Sequence, residues 1–241
     1  AEFLHQYFQE NKVPLRTRLF GNNSKYNRYA SWAPQLSNAL LQMGIAKKIL
    51  GVAPQRALPK LAPTTLRKWY QKNATRLHSN PSPHGEVVVF CDAFTNHYDV
   101  QTGMDCLELL SKIGYKPLIV DHEDSGRSAI SKGLLGIAKD KARANVATFS
   151  NIISENTPLV GIEPSAILTF RDEYLRLAND SEKATKISKH TYTIEEFLKQ
   201  AVEKKHLTPA LCTKEHKTIK IHGHCHQKSL SSMEPTFSIL N

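Results

Sequence analysis

The sequence predicts an α/β protein, a parallel sheet flanked by helices and preceded by a mostly helical N-terminal segment. Three observations carry this. The runs Val87-Val-Val-Phe-Cys91, Pro117-Leu-Ile-Val120 and Leu159-Val-Gly-Ile162 are apolar throughout and of strand length, as expected of strands buried on both faces. Helical stretches separate them, and strand–helix alternation builds a parallel sheet. Before residue 80 the apolar residues recur at helical spacing between prolines.

Taken in order, Ala1 to Asn11 places Phe3, Leu4, Tyr7 and Phe8 on one helical stripe. Pro34 to Leu50 repeats it with Leu36, Leu40, Leu41, Ile45 and Ile49, before Gly51. Pro54, Pro59 and Pro63 then punctuate an extended stretch, and Thr64 or Thr65 caps a short helix through Trp69 and Tyr70. Asn73 to Gly85, with two prolines, reads as a linker. Beyond the first strand, Asp99 to Ile113 is a helix that Gly114 ends. Ser128 to Asn145, running loosely on to Ile153, is a second, and Ser165 to Asn179 a third. Thr193-Ile-Glu-Glu196 is a capping box opening a helix through Lys204. Thr218 to His224 is predicted as a fourth strand, ending like the first at a cysteine, which hints at an internal repeat. The units are then 1–80, 86–180 and 190–241.

With 241 residues the chain has room for a sizeable core. A hydrophobic share of 40% and a mean hydropathy of −0.40 fit a soluble protein. No apolar run approaches the roughly 20 residues that cross a bilayer, and no secretory pattern opens the chain. The missing initiator Met, and a strand-like Glu234 to Asn241 at the other end, predict a fragment of a longer chain. Cys91, Cys106, Cys212 and Cys225 form no C-x-x-C, which suits a reducing cytoplasm. Cys106, mid-helix among leucines, and Cys212, in a Lys-rich loop, are expected to be structural.

The net charge of +10 is uneven. Residues 1–80 hold 13 Lys and Arg against Glu2 and Glu10 alone, a net of +11, while the rest hold 19 basic and 20 acidic groups. Nucleic acid, an anionic membrane surface and an acidic neighbouring domain each match such a segment. The aromatics there, Tyr26, Tyr29, Trp32, Trp69 and Tyr70, fit helix packing as well as base stacking, and nucleic acid is set aside as a partner.

Ligands of parallel sheets sit at the carboxyl ends of the strands. Here those ends read Cys91-Asp92, Asp121 through Ser125-Gly126-Arg127, Glu163-Pro164-Ser165, and His222-Gly-His224-Cys225-His226. If they converge, they form one polar rim. Each also has an ordinary reading. Asp92, Thr95 and Asn96 serve as helix caps, Ser125-Gly126-Arg127 as an anion-binding or a simple tight turn, and Ser165 as a cap. The histidine cluster is the most distinctive: three imidazoles share one face of the predicted strand with Cys225 on the other, a donor set suited to a metal or redox centre.

Phe90-Cys-Asp-Ala-Phe-Thr-Asn96, Ser125-Gly-Arg127 with Ser131-Lys-Gly-Leu-Leu135, Val160 to Glu173, and His222-Gly-His-Cys-His-Gln-Lys228 resemble the cysteine-rich CCG domain of iron–sulfur oxidoreductases. That family includes the iron–sulfur subunit of glycolate oxidase. Large fused proteins are similar too; they join an FAD-linked oxidase domain of D-lactate dehydrogenase type, a ferredoxin-like iron–sulfur domain and this region. The resemblance covers about residues 86–230, and residues 1–80 look like the segment joining the ferredoxin-like part to it. It implies a fold of two similar α/β halves, the second cut short here at 190–241.

The implied activity is electron transfer: a flavin oxidises a small 2-hydroxy acid, and 4Fe-4S clusters pass electrons onward. On this reading Cys225 is the metal ligand, His224, His226 and Arg127 are the catalytic candidates, and Cys91, Asp92, Ser125, Gly126, Glu163 and Ser165 border the cofactor. Arg127 and Arg171 would bind an acidic substrate or acceptor. FAD lies on another domain of the parent, and the partners are the flavin oxidase and ferredoxin-like domains, a membrane-surface electron acceptor and a second copy of the chain. The implied location is cytoplasmic or peripheral to the inner membrane.

The sequence also departs from the family pattern. It has Asp124-Ser125-Gly126-Arg127 where many members have Cys-Cys-Gly-Arg, and Pro164-Ser165-Ala166 where many have Pro-Ser-Cys. Carboxylate and hydroxyl are poor replacements for thiolate at iron. The expectation is that this chain binds no cluster by itself, while its parent holds one through Cys225 and cysteines elsewhere. The alternative is a non-catalytic docking module with a degenerate cluster site.

Overall fold

The computed structural model describes residues 1–213, 215 and 217–240. Four parallel strands, β1 (Glu86–Phe90), β2 (Lys116–Leu118), β3 (Leu159–Gly161) and β4 (Thr191–Thr193), form one sheet in the order β2-β1-β3-β4. Val87 lies opposite Pro117, Val89 opposite Val160, and Val160 opposite Tyr192. Pro117 cannot donate to a ladder, and its strand is accordingly an edge.

The apolar run of β1 behaves as a doubly covered strand should. Val87 and Val89 join Leu66, Leu107, Leu110, Val160 and Phe197 on one face. Val88 and Phe90 join Phe149, Leu159, Ile167, Phe170 and Tyr174 on the other. All four β1 residues from Val87 to Phe90 are at most 1% exposed, so neither face of this strand meets water. The α/β expectation holds.

Between β1 and β2 run the helices Ala93–His97 and Val100–Lys112, and between β2 and β3 the helices Arg127–Ser131 and Leu135–Phe149. The stretch expected as one helix from Ser165 is broken: Pro164–Ile167, a 3-10 turn at Leu168–Phe170, and Tyr174–Leu177. Helix Ser181–Lys189 then leads to β4, and Ile194–Glu203 follows it with the capping box intact at Thr193 and Glu196.

Two expectations for the C-terminal part fail. Thr218 to His224 is not a strand; it is irregular chain outside the sheet, and Ile219 is 56% exposed. Its apolar–polar alternation pairs with neither edge strand of the sheet. The fourth strand is Thr191–Thr193 instead. The strand-like Glu234–Leu240 is a helix, packed against Ile194–Glu203, and Asn241 lies outside the described residues.

N-terminal to the sheet lie the helices Glu2–Glu10, Leu15–Gly21, Asn23–Ala30, Pro34–Gln42, Gly44–Ile49 and Leu66–His78. The last runs into the expected linker, with Thr65 as its cap, and sends Leu66 and Leu77 into the core. The first five bury no large apolar side chain. They meet the body through specific contacts. Tyr98 Oη donates to Asn27 Oδ1 at 2.8 Å, Ser31 Oγ meets His97 Nδ1 at 2.8 Å, and His5 Nδ1 lies 3.3 Å from the Gly133 carbonyl.

Candidate functional site

The connections of β1 and β3 leave in opposite directions, β1 toward β2 and β3 toward β4, so the switch point of the sheet lies between these two neighbours. Their carboxyl ends carry Cys91-Asp92 and Ile162-Glu163. Asp92 caps the next helix: its Oδ1 accepts from the amides of Phe94 at 2.8 Å and Thr95 at 3.0 Å, and Oδ2 accepts from the Thr95 hydroxyl. Burial raises its carboxyl above the usual range, against these bonds, which favour the charge. The capping reading of Asp92 is therefore the observed one.

Glu163 rather than Ser165 caps Pro164–Ile167. Its carboxylate accepts from the Ser165 amide at 3.2 Å and hydroxyl at 2.7 Å. The same Oε1 lies 3.6 Å from His224 Nε2. His224 in turn caps the helix Cys225–Leu230, accepting the His226 amide on Nδ1 at 3.2 Å. The histidines thus do not alternate along a strand. His224 and His226 sit on a helix start with rings 5.6 Å apart, and His222 is exposed in the preceding coil.

His226 Nε2 accepts from Arg127 Nη1 at 3.2 Å, and the same guanidinium nitrogen pairs with Glu173. Burial, followed by the Arg127 charge, lowers the His226 pKa, which keeps the ring a hydrogen-bond acceptor. Three of the predicted strand ends therefore meet: Arg127, the Glu163–Ser165 turn, and His224 with His226. Gly126 holds the bend before Arg127 with a left-handed backbone, φ 72°. Arg171 is committed elsewhere, donating to both oxygens of Glu196 at 2.9 and 2.5 Å and to the Thr191 carbonyl. It is a strut between β4 and the helix after it, and no group of it is left for a substrate.

The fourth end, Cys91, faces other groups. Its amide donates to His122 Nε2 at 3.1 Å, while His122 Nδ1 sits 2.6 Å from the Glu123 carbonyl and the ring stacks on Phe90. Arg67 clamps the chain after β2, reaching the carbonyls of Val120 at 3.2 Å and His122 at 2.9 Å and the Asp121 carboxylate at 3.2 Å. Asp124 pairs with Lys141 and Ser24, and Asn145 ties the Glu123 amide and Asp124 carbonyl to the buried Tyr174 hydroxyl. His122 lies within the strand end Asp121 to Arg127 that the sequence pointed to, whereas Arg67, His97, Lys141 and Asn145 were missed. His97 directly follows the Phe90–Asn96 motif, which was the one usable signal; Arg67, Lys141 and Asn145 sit on helices with no motif beside them.

Arg67, Cys91, His97, His122, Asp124 and Lys141 line a cleft of about 910 Å³ between the ends of β1 and β2 and the helices Asn23–Ala30 and Leu66–His78, with Asn145 buried behind it. Burial, with the Arg67 charge adding to it, pushes the pKa of His97 down to about 4 and that of His122 to about 3. Both rings are neutral near pH 7.

An iron–sulfur cluster needs several thiolates on one site, and the donors here do not fit. Burial pushes the Cys91 and Cys106 thiols up to about 12, so both stay protonated. Asp124 is consumed by its ion pair, Ser125 is buried, and Cys212 and Cys225 are exposed. Among the described residues no three His, Cys, Asp or Glu side chains converge as a metal would require. No helix there is long and apolar enough to cross a membrane.

No family model matches the chain, and no solved structure matches it. Similar curated proteins do exist. D-2-hydroxyglutarate dehydrogenase of Escherichia coli K12 is 26% identical over 198 residues, 76% of this chain and 19% of that protein. The Haemophilus influenzae protein of the same name is 26% identical over 213 residues, 84% of this chain and 20% of the relative. The Pantoea ananatis protein is 24% identical over 217 residues, 85% and 20% respectively. The chain spans about a fifth of the length of the curated relatives it matches.

Proposed function

We propose that the chain is the carboxyl-terminal electron-transfer region of a flavin-linked oxidoreductase acting on a small 2-hydroxy acid. The observation that carries this is the meeting of Arg127 and His226 at the sheet's carboxyl edge, in a chain aligned over most of its length with 2-hydroxy-acid dehydrogenases. The chain does not hold a cluster by itself. Its contribution is a preformed rim, Arg127 and Glu163 with His224 and His226, bearing one exposed sulfur, Cys225, toward the flavin and ferredoxin-like domains of the parent. Paired as they are, these side chains act by holding one another and the helix start that presents Cys225.

The second reading, a docking module, is favoured by the inward commitment of Asp124 and Ser125, the positions where the resemblance would put thiolates. Anaerobically purified full-length parent separates the two. Iron content and visible absorption lost in Cys225→Ala would support the electron-transfer reading. Spectra and iron unchanged by that substitution would overturn it in favour of docking.

A further inference from the structure

We propose that the cleft between the basic helices and the ends of β1 and β2 binds a mononucleotide-like ligand, a planar heterocycle carrying a phosphate. None of Arg127, His224, Cys225 or His226 lines this cleft, so the inference stands apart from the reading of the rim.

The first argument is charge. Lys25, Arg28 and Lys68 line the cleft and are exposed, and among the described residues none of them pairs with a carboxylate. The other two cations of the lining are spent, Arg67 on Asp121 and Lys141 on Asp124. With those carboxylates neutralised, Glu123 alone faces three free cations. The two floor histidines are neutral and add hydrogen-bonding edges without charge. An anion with several oxygens matches such a wall, and phosphate does so as well as any.

The second argument is shape. Lys25, Arg28 and Tyr29 follow at i, i+3 and i+4 on one face of the helix Asn23–Ala30, and Trp32 lies in the turn that follows it. All four line the cleft. Trp32 is 77% exposed and meets Tyr29 edge to face at 6.1 Å. An open indole beside unpaired cations is a stacking platform for a flat heterocycle whose phosphate reaches the charges. The volume, about 910 Å³, lies within the roughly 300–1,000 Å³ of small-molecule sites.

Calorimetric titration of the 241-residue chain with adenosine 5′-monophosphate, adenosine and inorganic phosphate tests this. The monophosphate should bind saturably at one site, with adenosine and phosphate each at least about tenfold weaker. Arg28→Ala and Lys68→Ala should each weaken it about tenfold with the thermal melt unchanged, since both side chains are exposed. Trp32→Ala should abolish its advantage over ribose 5-phosphate. Lys48→Ala, an exposed cation away from the cleft, should change nothing. No saturable heat up to about 10 mM, or equal affinity for monophosphate and phosphate alone, would overturn the proposal. So would a random oligonucleotide that displaces the monophosphate at equal salt, because the surface would then serve a polymer.

Discussion

Arg127 Nη1 and His226 Nε2 stand 3.2 Å apart although 99 residues separate them in the chain. The contact joins the bend after β2 to the helix start that follows the long C-terminal coil. Glu173 completes it from the third side, with one carboxylate oxygen, Oε2, buried and without a partner among the described residues. The arginine is therefore the one group that both neutralises Glu173 and orients His226.

Arg127→Met should destabilise the chain by about 3 kcal/mol, because it leaves Glu173 as an uncompensated carboxylate in a site that is mostly buried. The double substitution Arg127→Met with Glu173→Leu should recover most of that loss. Urea denaturation of the two variants checks both. Equal stability of the single variant and the parent would show that the pair contributes nothing.

Acid should weaken the fold before most carboxylates titrate. The unfolded chain protonates its histidines near pH 6.5, whereas folded His97 takes a proton only near pH 4 and His122 near pH 3. Both pKa values are lowered by folding, so their contribution is complete above about pH 6.5. It declines by about 1.4 kcal/mol per pH unit for each histidine as the pH falls toward those values. Denaturation midpoints from pH 8 to pH 5 should drop below about pH 6.5, and His97→Gln should make that drop shallower.

The four thiols should separate into two classes. Cys212 and Cys225 are exposed, while Cys91 and Cys106 are buried with pKa values near 12. A disulfide reagent at pH 8 should titrate two thiols rapidly and the other two only after unfolding. Rapid reaction of all four would contradict the burial of Cys91.

Gly161 ends β3 against Ile167, whose side chain occupies the space that a β-carbon would need. Gly161→Ala should cost about 1–3 kcal/mol by overpacking. Ile167→Val in the same chain should return part of it. Thermal melts of the single and double variants measure this directly.

The sequence was most legible where burial leaves one solution. Val87 to Cys91 could only be an interior strand, and β2 and β3 follow from the same argument. Thr191-Tyr-Thr193 escaped notice because a three-residue strand makes no run, although its β-branched and aromatic residues just before a capping box were a usable signal. Thr218 to His224 misled for the opposite reason: alternation is present, but strand formation needs a neighbour, and sequence alone does not supply one. The rim was half legible. Arg127, Glu163, His224 and His226 came from strand-end reasoning, whereas the partner that fixes Arg127, Glu173, lies in the turn between the 3-10 segment Leu168–Phe170 and the helix Tyr174–Leu177, a break that no periodicity announced.

The two walls of the basic cleft differ in how firmly they are held. The helix Leu66–His78 is anchored in the core by Leu66 and Leu77, while the helix Asn23–Ala30 is fastened by polar contacts alone, Asn27 to Tyr98 and Ser24 to Asp124 and Lys141. The consequence is a graded stability: amide exchange in residues 23–30 should outpace that in residues 86–90 by orders of magnitude, because the helix Asn23–Ala30 buries no large apolar side chain whereas β1 is closed to water on both faces.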